Sequence, residues 1–201
     1  MIRTLLFFVF LVLNIVSVEW GFELGIYLTK PLLIPLLAWT LIGFKWDRVR
    51  WICLGLLFSW IGDILLMLPI DGFVVGLISF LIAHHYYIRH LFGQWNAKEV
   101  PFRPVYLLGV TMYLIVLIGI LFPVLGDMKI PVIVYGLVIS TMLLFALHTE
   151  QRGYQLGALF FVLSDSLLAI NKFHTPLPLA GLLVMSTYGL AQYYIVKTSR
   201  T

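Results

Sequence analysis

Apolar runs of about 17–22 residues follow one another from Thr4 to Lys197, separated by short polar breaks. A hydrocarbon core about 30 Å thick is crossed by about 20 helical residues, each adding about 1.5 Å. An outer-membrane-type barrel would instead show alternating segments of about 10 residues, and no such alternation is visible. Helices are then the way left to satisfy every backbone N–H and C=O in lipid. Composition agrees: 62% of the residues are apolar and 11% charged, where a soluble domain carries about 25% charge. Mean hydropathy is +1.04. The fold class is therefore all-α, a polytopic membrane bundle forming one integral domain over 1–201. About eight transmembrane helices are expected, near 4–20, 24–43, 49–68, 72–92, 104–122, 130–148, 154–171 and 178–197.

Short loops make consecutive helices antiparallel neighbours, and an even number of spans puts both termini on one side. That side then holds Arg3, Lys45, Arg48, Arg50, Arg89, Lys98, Arg103, Arg152, Lys197 and Arg200, while the other holds only Lys129 and Lys172. Lys30 falls inside a span, which completes the 13 basic residues. This bias places both termini in the cytoplasm of a multi-pass protein of the cell (inner) membrane. It also accounts for the net charge of +4 without nucleic acid as a partner. The first run lacks a small-x-small cleavage site before Glu19-Trp20 and is expected to remain as a helix. Cys53, the single cysteine, has no partner for an internal disulfide. Trp20, Trp46, Trp51 and Trp95 sit near span ends, as an interfacial belt does.

Two segments echo each other. Phe58-x-x-x-Gly62-Asp63-x-Leu65-Leu66 is similar to Phe160-x-x-x-Ser164-Asp165-x-Leu167-Leu168, and His85-Tyr86-Tyr87-Ile88 to Gln192-Tyr193-Tyr194-Ile195. A duplication would give a 4+4 parallel repeat with halves 1–100 and 101–201, related by an axis along the membrane normal. Chance similarity between apolar helices is the competing explanation.

An ionisable group at the centre of a span costs at least about 2.5–3.5 kcal/mol on insertion scales, so it needs a reason. Lys30, Asp63 and Asp165 are such groups. Each lies about five or six residues from the non-cytoplasmic end of its span, roughly 8–9 Å deep at the helical rise. Asn14 reaches a similar level, and four polar groups on four helices at one depth point to one site. A structural salt bridge is the plainer reading for Lys30, but one lysine neutralises only one carboxylate. The other aspartate must be protonated, hydrogen-bonded or hydrated, and a carboxyl pair so placed can divide acid and base roles. His84 lies deeper, on one face with Phe80, Tyr87 and Ile88. Thr187, Tyr188, Ala191 and Gln192 form a polar stripe on the last span, and Ser164 adjoins Asp165. Hydrogen-bonded packing is the alternative for His84 and for the stripe. Gly-x-Ser-x-Gly, the phosphate loop, paired cysteines and His-Glu-x-x-His are all missing.

At these positions the chain resembles the YhhN-like membrane family, which includes the lysoplasmalogenases. The resemblance runs through Lys30-Pro31-Leu32, Gly62-Asp63 with Leu66-Met67, and Gly76-x-x-x-Phe80-x-x-Ala83-His84-x-x-Tyr87. It continues through Gly157-Ala158-x-x-Phe161-x-x-Ser164-Asp165 with Leu168-Ala169 and Lys172-Phe173, and ends at Thr187-Tyr188-x-x-Ala191-Gln192. It implies a hydrolase that cleaves the vinyl-ether bond of a lysoplasmalogen. The products are a fatty aldehyde and glycerophosphoethanolamine or glycerophosphocholine.

The residues suit that chemistry. Enol ethers hydrolyse by protonation of the β-carbon, and water then attacks the resulting oxocarbenium ion. One carboxylic acid and one carboxylate suffice, as in glycosidases, with no cofactor and no metal. Asp63 and Asp165 are the expected acid/base pair. Lys30 would keep one of them ionised, and His84, Tyr188, Gln192, Asn14 and Ser164 complete the substrate-binding candidates. The alternatives are a proton-coupled transporter or lipid-handling protein, with the aspartates as a relay, and a metal hydrolase using His84, Asp63 and Asp165. The topology is checked by reporter fusions at Thr201 and near Asp127, which should report opposite sides of the membrane. The same side for both would overturn it.

Overall fold

The computed structural model describes residues 2–68, 72–97 and 100–200. Lys98 and Glu99 of the longest connection, and Thr201, lie outside the described residues. Among these there are eight α-helices and no strand: α1 (Ile2–Glu19), α2 (Glu23–Trp39), α3 (Trp46–Leu65), α4 (Gly72–Ala97), α5 (Pro104–Leu121), α6 (Lys129–His148), α7 (Arg152–Ala169) and α8 (Ala180–Ser199). A 3₁₀ turn, Gly126–Met128, leads into α6, and a π-helical turn, Ile170–His174, continues α7. The expected spans agree with these helices within a few residues, except that α4 runs on to Ala97 instead of stopping near 92. Gly93 does not end it, and the helix continues through Gln94 and Trp95.

The protein is a polytopic helical membrane bundle. Among the described residues, five stretches are long and apolar enough to cross a membrane: Ile2–Glu19, Gly72–Ala97, Pro104–Leu121, Gly126–His148 and Arg152–His174. Eight spans were expected; α2 falls short by length, at 17 residues, and α3 and α8 by their charged and polar residues. The remaining helices α2, α3 and α8 carry Lys30, Asp63 and the Tyr188–Gln192 stripe. A helix that turns a polar face inward needs less hydropathy than one surrounded by lipid.

Sequence details explain how the helices are tied together. Pro104 opens α5 at its first turn, where a missing N–H costs nothing. Within α2, Pro31 and Pro35 each remove a backbone donor. The carbonyl of Pro31, left free because Pro35 has no N–H to offer, accepts the indole N–H of Trp60 at 2.7 Å. That bond fixes α2 to α3 one residue from Lys30. At the other end of the chain, the Glu19 carboxylate closes α1 by accepting from the Leu182 N–H at 2.7 Å, in the first turn of α8. Negative charge suits that position.

Glycines permit the tightest helix contacts. A Cβ on Gly55 of α3 would stand 2.2 Å from the Tyr87 ring of α4. On Gly157 of α7 it would stand 2.7 Å from the Ile195 side chain and 3.1 Å from the Ala191 carbonyl of α8. Small residues at such crossings let the backbones approach. The two helix pairs α3–α4 and α7–α8 are thus built alike. Gly157→Val should cost about 1–3 kcal/mol by overpacking against backbone that cannot move aside. A lower thermal midpoint in detergent would show this, and an unchanged midpoint would refute it.

Candidate functional site

Asp63 stands in the last turn of α3, 3% exposed, and a train of buried groups converges on it. The Tyr188 hydroxyl of α8 donates to Asp63 Oδ2 at 2.7 Å. One turn further, Gln192 Nε2 donates to the Tyr188 oxygen at 3.3 Å. The Tyr87 hydroxyl of α4 donates to Gln192 Oε1 at 2.7 Å. Since the Tyr87 proton is used there, Ser59 Oγ of α3 is the donor in its 3.4 Å contact with the Tyr87 oxygen. Every proton in the train therefore points towards the Asp63 carboxyl, and three helices are held in register around it.

Asp165 is held differently. It lies near the end of α7, just before the π-helical turn, and its Oδ2 accepts from the Tyr135 hydroxyl of α6 at 2.5 Å. Its neighbour Ser166 donates to the Val162 carbonyl at 2.5 Å and is hydrogen-bonded to Tyr113 of α5. Among the described residues, Oδ1 of neither aspartate has a hydrogen-bonding partner.

Both aspartates line one cavity of about 100 Å³, together with Lys30, Tyr135, Ser164 and Tyr188. That volume admits a few water molecules. The rest of the wall is apolar, with Leu66, Leu77 and Leu168 among its residues. Phe73 and Phe173 form its outer part, edge to face at 5.5 Å, and the Lys172 ammonium lies 4.4 Å from the centre of the Phe73 ring.

Lys30 shares the cavity without a close salt bridge. No ion pair within 4.0 Å joins it to either carboxylate among the described residues, so the plain salt-bridge reading lacks its contact. Ser164 spends its hydroxyl proton on the Val184 carbonyl at 3.0 Å, which ties α7 to α8.

Three expected substrate-binding residues do not line the cavity. Asn14 donates to Thr29 Oγ1 at 2.9 Å, next to Lys30 in sequence, and so braces α2 from behind. Gln192 supports Tyr188, as described above. His84 is fully buried: its Nδ1 contacts the Phe80 carbonyl at 2.6 Å, and its ring lies edge-on to Phe161 and Tyr135 at 4.6 and 5.4 Å. His84 does not join Asp63 and Asp165 on the cavity wall, so the three do not form a metal site. Among the described residues no three His, Cys, Asp or Glu side chains are grouped closely enough to hold an ion.

Residues 25–199 match the YhhN family. This chain belongs to the YhhN family. Lysoplasmalogenase TMEM86B from Homo sapiens is 37% identical to it over 146 residues, which is 70% of this chain and 59% of that protein. Its counterpart from Sus scrofa is 38% identical over 143 residues, 70% of this chain and 59% of that protein. Lysoplasmalogenase TMEM86A from Homo sapiens is 33% identical over 156 residues, covering 72% and 62%. The YhhN chain thus spans about three fifths of the length of the curated relatives it matches. No solved structure matches it.

Tyr135 is the site residue that the sequence reading passes over. It lies six positions after Lys129, at the depth used to single out Lys30 and Asp165, on a helix with few other polar groups. Applying the depth criterion to hydroxyls as well as to charges would have found it. Tyr87 and Ser59 could not be found that way, because they lie deeper and act through Gln192.

Proposed function

We propose that this YhhN family protein is a membrane hydrolase that cleaves the vinyl-ether bond of a lysoplasmalogen by carboxyl acid/base catalysis. The observation that carries the reading is the pair of carboxyl groups on one apolar-walled cavity, each held through Oδ2 by a tyrosine and each with Oδ1 unclaimed among the described residues. The names of the TMEM86 relatives point to the same substrate class.

In this mechanism Asp165 is the acid and Asp63 the carboxylate. The proton train ends on Asp63, and Lys30 shares its cavity, so Asp63 is the better placed to stay negative opposite a developing cation. Asp165 gives its proton to the β-carbon of the enol ether. The electron pair of the double bond forms the new C–H bond, and the ether oxygen stabilises the positive charge on the neighbouring carbon. Water adds to that carbon and loses a proton to Asp63. The hemiacetal then breaks its bond to the glycerol oxygen, which takes the proton from Asp63, while the hemiacetal hydroxyl gives its proton to Asp165 as the aldehyde carbonyl forms, so both carboxyl groups return to their starting states. The sum is vinyl ether plus water to aldehyde plus alcohol. It needs neither a nucleophilic side chain nor an oxidant.

Electrostatic stabilisation of the cation by Asp63 is strong in a site sheltered from bulk water. Leu66, Leu77 and Leu168 suit the alkenyl chain, which would extend from the cavity along the helices into the bilayer. The membrane is taken to be the cell's inner membrane, with both termini cytoplasmic and the cavity towards the opposite face.

Asp63→Asn and Asp165→Asn should each lower turnover by at least about 10²-fold, the usual scale of general acid–base catalysis. Substrate binding should persist, because the alkyl chain contributes about 0.8 kcal/mol per buried CH₂ irrespective of that charge. The measurement is aldehyde release from lysoplasmalogen per folded molecule in detergent, with and without chelator. Full activity in either folded variant removes that aspartate from the mechanism. Loss of parent activity with chelator points to metal hydrolysis instead, and no aldehyde from the parent points to a transporter.

A further inference from the structure

A second polar cleft lies at the opposite end of the bundle, between the first turns of α3 and α7 and the last turns of α4 and α8. It has a volume of about 300 Å³ and is lined by Arg48, His90, Gln94, Gln151, Tyr154 and Thr198, among others. Its floor is a buried pair, with His90 Nε2 2.7 Å from the Tyr154 hydroxyl oxygen and the two residues 5% and 2% exposed. Its rim carries Arg48, exposed and within electrostatic range of both floor residues.

The groups at this cleft are biased towards donors. Gln151 Nε2 donates one proton to Gln94 Oε1 at 3.2 Å, which leaves its second N–H and both N–H groups of Gln94 without a partner among the described residues. The guanidinium adds five more donors in a planar fork. Among the described residues no carboxylate lines the cleft. The two acidic residues next to it in sequence are engaged elsewhere, Asp47 with Arg50 at 3.6 Å and Glu150 with Arg103 at 3.8 Å. Two helix N-termini and two C-termini meet here, so their opposed dipoles largely offset and Arg48 sets the sign of the field. A cation beside a polar recess with spare N–H groups, at the level of the headgroups, matches the way basic pockets between transmembrane helices hold lipid phosphates.

We propose that this cleft binds a phosphate oxyanion, with Arg48 as the charged ligand and the Gln94 and Gln151 amides as the neutral donors. A phospholipid headgroup in the adjoining leaflet and free phosphate share that chemistry. The site is independent of the carboxylate cavity, and its test does not use hydrolysis.

The experiment follows the thermal midpoint of the purified full chain in neutral detergent. It titrates phosphatidylglycerol in mixed micelles, phosphatidylcholine in the same way, or inorganic phosphate. The parent should show a saturable rise in at least one arm. A rise with lipid alone marks a headgroup site, and a rise with inorganic phosphate marks a site for the free anion as well. Arg48→Gln should raise the half-saturating concentration at least about tenfold, as loss of a hydrogen bond to a charged partner does. Lys45→Gln, at the same interface but outside the cleft, should leave it unchanged. If Arg48→Gln does not fold, the double variant Gln94→Leu with Gln151→Leu takes its place with the same expectation. The proposal is overturned by no saturable rise in any arm, by an unchanged titration in the cleft variant, or by an equal loss in Lys45→Gln.

Discussion

The bond from Tyr188 to Asp63 joins residues 125 positions apart, and much of the bundle is arranged around it. A carboxyl group within a hydrocarbon layer has no bulk water to stabilise it, so protein donors must do so or it is driven out. Tyr188 can reach Asp63 only if α8 lies against α3. Gln192 and Tyr87 then fix the rotation of α8 and bring in α4. The four groups behind the carboxyl orient one another in a single direction, and none of them needs a second arrangement to be satisfied. The stiff framework behind Asp63 is thus a consequence of placing a carboxyl where solvent cannot reach it.

The same constraint redistributes hydropathy among the helices. α5 meets mostly lipid and other apolar surface, buries only Val110 and Leu121, and is among the most apolar stretches of the chain. α3 and α8, which supply Asp63 and Tyr188 to the polar centre, are far less apolar than α5. The two prolines of α2 belong to this pattern. They would weaken an isolated helix, yet the carbonyl that they release is taken by Trp60, so the loss becomes a tie between α2 and α3 beside Lys30.

Helix positions were legible in the sequence because lipid leaves few ways to satisfy a backbone, and run length then fixes most ends to within a few residues, the C-terminal end of α4 excepted. The common cavity of Lys30, Asp63 and Asp165 was legible through depth, since residues of opposite helices at one level face each other when their side chains turn inward. Depth alone does not fix rotation about the helix axis. Asn14 shares the level but turns to Thr29, and His84 turns its edge to Phe161 and Tyr135. Tyr135 was missed for the complementary reason: a tyrosine in an apolar helix passes as an aromatic core residue until its hydroxyl is seen to meet a carboxylate. The 4+4 duplication remains a pattern in the sequence.

If an enzyme-held carboxylic acid protonates the substrate carbon, the hydrogen arrives from one face. Hydrolysis of lysoplasmalogen in D₂O should therefore place one deuterium on C2 of the aldehyde, in a single configuration. Cleavage that released a free enol would let solvent complete the C–H bond from either side. An equal mixture of the two configurations, or an aldehyde without deuterium at C2, would contradict protonation by a bound carboxyl group.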